Sequence, residues 1–411
     1  MRKTWTPAEL TQLQTLKSTG ASAREMAEIL GRTIKAVQVQ LERIPVVEQT
    51  PQERAGIEYW KDKATQLQRR IDDSTKQETA TGILVEQVRE LAPVAYAPAP
   101  FIEIQHKRGE SSPQTAMLML SDTHVGALVR PEQTLDFGGY NFDIFRRRLK
   151  RLENSVASIL TDHTSTAVEE LVVPLLGDCI DGALQHSAEC GQVNPLFNQF
   201  YGAGHAIAQF LRNLSTMVPS IRVHTCVGNH PRWGTQKKMP TKNRFSNLDF
   251  FLYAYIEALL VEQPRIKFHL NQQPFAEFGV YNWRFLAAHG DHLRGGDKAL
   301  GIPAHAIGRN ISAAAQLRLK AQKPGINYYL LGHLHRPMEL PHAGGEILVN
   351  GGFIGVDEYG TMENFTACDP MQKFFFVHPK HGRAACYSLN LKFADAMGPA
   401  PYSIPGNFSL Q

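Results

Sequence analysis

The chain has no C-x-x-C pair, no long apolar run and little net charge. Its five cysteines, Cys179, Cys190, Cys226, Cys368 and Cys386, are odd in number, widely spaced and set mostly in apolar surroundings. That argues against a disulfide framework and for reduced core thiols in a cytosolic protein. There is no run of about 18 apolar residues, so no membrane partner is expected, and Met1-Arg2-Lys3-Thr4-Trp5 lacks the apolar core of a signal peptide. A formal charge of +4 over 411 residues permits contact with nucleic acid without demanding it. With 43% hydrophobic and 20% charged residues, the composition suits one sizeable domain plus something smaller.

What the chain does have is a series of short apolar runs, each ending in a few polar residues. Met117-Leu118-Met119-Leu120 leads into Ser121-Asp122-Thr123-His124, which predicts a buried strand delivering a carboxylate and an imidazole to the carboxyl edge of a sheet. Residues i and i+2 of a strand point the same way, so both groups can face one ion. Leu171 to Leu176 leads to Gly177-Asp178-Cys179-Ile180-Asp181, and Ile221 to Val227 leads to Gly228-Asn229-His230. Phe285 to Ala288 leads to His289-Gly290-Asp291, and Tyr328 to Leu331 to Gly332-His333-Leu334-His335. An amphipathic helix opens at Tyr140 and reaches Leu160. The rhythm of strand and helix from Gln114 to Cys386 predicts an α/β domain with a layered sheet.

These strand ends present two Asp, one Asn and five His besides Asp181 and Asp291. Hydrolysing a phosphoester near neutral pH requires a strong nucleophile and neutralisation of the phosphoryl oxygens, and two divalent ions about 3.5–4 Å apart supply both. A carboxylate bridges two ions, while imidazoles and an amide oxygen complete the shells without piling negative charge against an anionic substrate.

In order, D-x-H, G-D-x-x-D, G-N-H, H-G and G-H-x-H resemble the motifs of the calcineurin-like metallophosphoesterases, over roughly residues 115–360. The resemblance implies an αββα sandwich of two mixed sheets flanked by helices, and a pair of divalent ions whose shared hydroxide attacks phosphorus. Manganese is expected first, with iron, zinc or nickel as alternatives. It assigns Asp122, His124, Asp178 and His335 to one ion, and Asp178, Asn229, His289 and His333 to the other, so that Asp178 bridges. His230 is then the non-ligand histidine, placed to protonate the leaving oxygen or to stabilise the transition state, and forms the catalytic set with Asp178 and Asn229. One position departs from the pattern: Pro231 stands where the family commonly has an acid. A partner for His230 must come from elsewhere, with Asp181, His186, Asp291 and His292 nearby in sequence. Of these, Asp181 is expected behind the ligands and His186 on the substrate side. Asn350-Gly351-Gly352 resembles the turn after the last motif in phage-type and exonuclease-like members. The runs Leu348–Val356 and Lys373–Val377 are expected to close the second sheet.

Residues 1–48 read as a separate small module. Thr6-Pro7, Ser22 and Thr33 open three short helices, and Gly20 and Gly31 stop the first two. Leu10, Leu13, Met26, Ile29, Leu30, Val37, Leu41 and Ile44 are the expected apolar positions. Trp5-Thr6-Pro7, Ser22 to Ala27 and Gly31-Arg32-Thr33 resemble Myb/SANT-like or homeodomain-like helix-turn-helix domains. In residues 1–44 seven cations against four carboxylates leave +3, which suits contact with DNA through Arg32, Thr33, Lys35, Gln38 and Gln40 on the third helix. A trihelical domain that binds a protein is the alternative.

Residues 49–115 are expected to link this module to the catalytic domain, 116–395, followed by a tail, 396–411, that is irregular or docked. In the linker, Ile57, Trp60, Ala64, Leu67 and Ile71 follow heptad spacing, and suit either a homodimer through residues 57–71 or a lone packed helix. Pro93, Pro98, Pro100 and Pro113 predict an extended stretch. After the third motif, Arg232, Lys237 and Lys238 flank Trp233, which suits a phosphodiester backbone with base stacking, or simply a solvated basic loop. The expected activity is a DNA-directed phosphodiesterase. The alternatives are a phosphomonoesterase whose head binds a protein, and a DNA-binding regulator that keeps the metal site for folding.

Overall fold

A computed structural model describes residues 5–18, 21–43, 62, 65–66, 68, 81–92, 95–102, 113–136, 138–164, 166–182, 195–232, 247–293, 303–342, 344–357, 368–392, 394 and 401–405. Contacts divide the chain into two compact units, Met1–Thr75 and Lys76–Gln411. Ile57, Trp60, Ala64, Leu67 and Ile71, together with His186, Cys190, Lys237 and Lys238, lie outside the described residues.

In the first unit, α1 (Pro7–Ser18), α2 (Ala23–Ile29) and α3 (Ile34–Arg43) follow their caps. Thr6 and Glu9 exchange backbone N–H bonds at 2.8 and 3.3 Å, Ser22 and Glu25 do the same, and Thr33 Oγ1 accepts from Ala36 N. Leu13, Met26, Ala27 and Val37 form the core, with Trp5, Leu16, Leu30 and Leu41 against it. Ile29 is 54% exposed, contrary to the apolar face expected for α2, because Ala27 takes the inward position.

The second unit begins, among described residues, with α4 (residues 81–90). It continues through β1 (Gln114–Leu118), α5 (Phe142–Ser158), β2 (Val168–Leu175), α6 (Leu196–Leu214), β3 (Ile221–Thr225), α7 (Leu248–Leu259), β4 (Ile266–His269), β5 (Ala276–Val280) and β6 (Trp283–Ala288). It ends with α8 (Ala304–Lys320), β7 (Tyr328–Leu331), β8 (Met338–His342), β9 (Gly345–Val349), β10 (Met371–His378) and β11 (Gly382–Asn390). Six strands form one sheet in the order β11-β10-β1-β2-β3-β4, and five form another, β5-β6-β7-β9-β8. Both are mixed: β1 to β4 run parallel with β10 antiparallel to β1, and β6-β7-β9 run parallel between antiparallel edges.

The period of two along each strand sorts side chains into three layers. Met117, Met119, Val172, Phe375 and Val377 of the first sheet pack with Phe278, Phe285, Ala287, Leu330 and Leu348 of the second. Their neighbours Leu118, Val173, Phe374 and Phe376 turn outward onto α5, α6 and α7. On the far side Leu286, Tyr329, Ile347 and Val349 meet Ile307 and Ile311 of α8. The result is an αββα sandwich.

Two placements differ from expectation. Lys373–Val377 belongs to β10, which pairs with β1 in the first sheet rather than closing the second. A run that is buried on both faces, as Phe374 to Val377 is, carries no mark of which sheet it joins. Residues past Val349 leave the second sheet, and Phe353 N donates to Asp122 O at 2.9 Å, so this stretch props the first motif. Residues 95–102, inside the stretch expected to link the modules, lie along α7: Tyr96 N donates to Leu259 O, and Gln263 bonds Tyr96 O, Ala97 O and Ala99 N. In the tail, Tyr402 is buried with its hydroxyl donating to Glu153 at 2.6 Å.

Candidate metal centre

Every motif lies just past the carboxyl end of a strand, where the ladder stops and the loops must bond one another. Asp122 N donates to Gly177 O and His124 N to Asp178 O, each at 3.0 Å, so the first two loops run zipped together. Gly332 N donates to His289 O at 2.9 Å, and both carboxylate oxygens of Asp122 accept His333 N at 3.1 Å. His230 N donates to Asp178 Oδ1 at 2.8 Å. Asp122, His124, Asp178, His333 and His335 have φ between +42° and +67°. For non-glycine residues this conformation costs of the order of 1 kcal/mol each and clusters where function requires it.

The side chains gather into overlapping sets. The ligand atoms of Asp122, His124 and His335 lie within 4.8 Å of one another, as do those of Asp178, His289 and His333, and those of His124, Asp178 and His230. Asp178 belongs to the last two sets, and His124 ties the third to the first, so Asp178 lies beside both candidate ion positions. Asn229 completes the second, its Oδ1 lying 2.9 Å from His289 Nε2. All seven expected ligands are brought together, and Asp122, His124, Asp178, Asn229 and His289 are at most 9% exposed.

The donor set fits cations. His289 Nδ1 faces Leu176 O at 2.8 Å and is the donor there, so Nε2 turns its lone pair toward Asp178 Oδ2 at 3.0 Å and Asn229 Oδ1. His124 Nδ1 faces Asp181 Oδ1 at 3.0 Å, leaving Nε2 directed at His335 Nε2, 3.1 Å away. Converging acceptors on imidazoles pinned from behind are the arrangement a divalent ion stabilises. Without one, protons must serve. Burial opposes charge on His289, but the Asp178 carboxylate outweighs it and pushes the imidazole up to about 10. Burial favours the neutral form of Asp178, yet His289 and His230 hold it well below the carboxylate range. Asp122 is also burdened by burial and still lowered, chiefly through His335. His333 goes the other way, down to about 4, through burial and then the charge of His289.

His230 sits at the margin of this group, its side chain 23% exposed. Its Nδ1 lies 3.1 Å from Asp181 Oδ1 and 3.2 Å from Asp181 O. Burial works against its charge, but Asp178 and Asp181 prevail and raise it to about 9. Asp181 is 3% exposed and serves two imidazoles, His124 and His230, so it supplies the acid that Pro231 does not. Arg232 turns back to donate to Asn229 O at 2.7 Å.

Two braces escaped the reading of the sequence. Asp249, in the first turn of α7, accepts from Asp178 N, Cys179 N and Gly228 N, and Asn247 Nδ2 donates to Gly228 O. Gln372, buried in β10, accepts Ser121 N and bonds Asn350, which reaches Ser121 Oγ. The signal for the first was an Asn-Leu-Asp helix start, which reads as an ordinary cap. For the second there was no local signal, since Gln372 sits beside Lys373 ahead of the apolar run Phe374 to Val377.

In the head, Arg32 gives Glu9 two bonds, at 3.1 and 2.9 Å, and lies over the Trp5 ring. Thr33 caps α3, whereas Lys35 and Gln38 are exposed. Among the described residues no helix is long and apolar enough to cross a membrane.

No family model and no curated protein matches the chain. Among solved structures, an archaeal phosphodiesterase is similar at 10% identity over 67% of this chain and 100% of its own, with a TM-score of 0.31. A dimetal phosphatase from Danio rerio is similar at 13% identity over 68% and 100%, with a TM-score of 0.31. A predicted phosphoesterase from Streptococcus pneumoniae is similar at 12% identity over 68% and 99%, with a TM-score of 0.25.

Proposed function

We propose that the chain is a metal-dependent phosphoric ester hydrolase and, within that class, a DNA-directed phosphodiesterase. The observation that carries the first part is Asp178, whose carboxylate joins two neighbouring sets of imidazole and carboxylate ligands. Asp122, His124, His335 and Asp178 would hold one divalent ion, and Asp178, Asn229, His289 and His333 a second, with manganese the first candidate. When bound, two such ions activate water and neutralise the charge of a phosphoryl group.

The chain's own residues do the rest. Asp181 holds His230 Nδ1 and favours the imidazolium, so Nε2 is the nitrogen that gives a proton to the leaving oxygen. Asp181 also fixes which nitrogen of His124 faces the ligands. His230 N holds one oxygen of Asp178, restricting how the shared carboxylate rotates.

The DNA-directed part rests on a head with charge +3 over residues 1–44 and exposed Lys35 and Gln38 on α3. The second reading, a phosphomonoesterase whose head binds a protein, draws on Arg32, which is spent on Glu9 and Trp5. Purified protein with Mn²⁺, on labelled linear DNA and on an aryl phosphomonoester, separates them. Asn229→Ala is expected to abolish both activities. Deletion of residues 1–48 is expected to abolish DNA cleavage alone. Turnover of phosphoproteins with indifference to DNA would establish the second reading, and no turnover by metal-loaded protein would overturn both.

A further inference from the structure

Hydrogen bonds between β2 and β3 continue to Cys226 N and Leu175 O at 2.8 Å. Past that pair the chains separate into the loops that carry Asp178 and Asn229. Besides the direct bond from His230 N to Asp178 Oδ1, what rejoins them is the start of α7. Asp249 Oδ2 accepts Asp178 N at 2.8 Å and Gly228 N at 2.9 Å, and Oδ1 accepts Cys179 N at 3.2 Å. Asn247 Nδ2 donates to Gly228 O at 2.8 Å, while its Oδ1 accepts Asp249 N at 2.9 Å. Gly228, the residue before Asn229, is thus held at both its N–H and its carbonyl. A Cβ at Gly228 would lie 2.0 Å from Asp178 Oδ1, so the two loops touch with no room to spare.

Asp249 is fully buried, and such a carboxylate is costly to keep in a fold unless it is well paired. An apolar residue would pack the first turn of α7 without that cost. A carboxylate, in contrast, satisfies three N–H groups from two chain segments at once, and sets Asp178 and Asn229 at a fixed separation. We infer that Asp249, seconded by Asn247, is a positioning residue of the metal centre: it spaces the bridging carboxylate and the amide ligand so that two ions, rather than one, are held. This rests on the two-ion reading above.

The test uses the full chain and Mn²⁺ alone. Calorimetric titration and electron paramagnetic resonance count the ions and report whether they are exchange-coupled. Wild type is expected to bind two coupled ions. Asp249→Asn replaces an acceptor with a donor against those N–H groups, and is expected to weaken the second ion at least 10-fold and to replace the coupled signal with that of isolated Mn²⁺. Asn247→Ala, which frees the Gly228 carbonyl and the Asp249 N–H but keeps the carboxylate, is the gentler variant should Asp249→Asn not fold, and is expected to weaken the second ion several-fold. Glu153→Gln is the control: it disturbs a buried carboxylate that holds Asn213 and Tyr402 on α5, and is expected to lower stability while leaving Mn²⁺ binding intact. If Asp249→Asn and Asn247→Ala bind two coupled ions with wild-type affinity, the inference is overturned while the two-ion reading stands. If the wild type binds fewer than two, both fall.

Discussion

At the scale of single residues, the site is a set of imidazoles whose outer nitrogens are tied down so that the inner ones point where charge is wanted. Asp181 is the most exposed to test, because it serves His124 and His230 together. Asp181→Asn is expected to lower hydrolysis by about 100-fold or more on esters with poor leaving groups. The loss should be smaller on nitrophenyl esters, whose leaving group needs no proton; equal losses on both would remove His230 from the proton-donor role. Asp122 to His124 and Asp178 were legible from sequence because an apolar run and its polar end are local features. Asp249 was not, because its partners lie about 21 and 71 residues away and only folding brings them to it. A second residue-scale prediction concerns His205, only 2% exposed, whose Nδ1 faces Tyr96 Oη at 2.7 Å and whose Nε2 faces Tyr255 Oη at 3.2 Å. Burial pushes this imidazole down from 6.5 to about 4. The unfolded chain therefore takes up the proton first, so the contribution to stability is complete above pH 6.5 and is lost as pH falls toward 4. Denaturant titrations at pH 7.5 and 4.5 are expected to show wild type losing on the order of 1–3 kcal/mol more than His205→Gln over that interval.

At the scale of elements, α5 shows how a charge pattern can mislead. Its run Arg146-Arg147-Arg148 with Arg151 has the look of a basic patch, yet Arg146, Arg148 and Arg151 hold chain. Arg146 donates to Tyr402 O, Arg151 to Asn390 O, and Arg148 to the carbonyls of Phe353 and Ile354, behind the first motif. The stretch from 95 to 102 is similar: its prolines suggested an extended segment, and it does lack helix and strand, but it is buckled to the turn after α7 through Gln263. Gln263 is 3% exposed and makes three bonds, so Gln263→Ala is expected to cost about 2–4 kcal/mol in chemical denaturation. A loss below about 0.5 kcal/mol would mean that this segment contributes nothing to the fold.

At the scale of the whole second unit, two sheets pack face to face, and the candidate ligands come from five separate loops at their carboxyl ends that no single element could position. Cations bound there should tie those loops together. Mn²⁺ at 100 times its dissociation constant is expected to stabilise the protein by about 2.7 kcal/mol per independent ion, raising the melting temperature by several degrees, and chelation should reverse the shift. A melting temperature indifferent to both would argue against a metal centre.

The sequence by itself determined which strands end in the candidate ligands, in what order, and that helices alternate with them, since each of these is written in ten or so neighbouring residues. It also marked the three caps of the head, at Thr6, Ser22 and Thr33, because a cap is a contact across three positions. Only the tertiary structure decided that β10 joins the first sheet, that Asp181 lies beside His230, and that α7 bonds the two loops carrying Asp178 and Asn229. Those choices depend on partners distant along the chain, and neither hydrophobic period nor local spacing carries information across that distance.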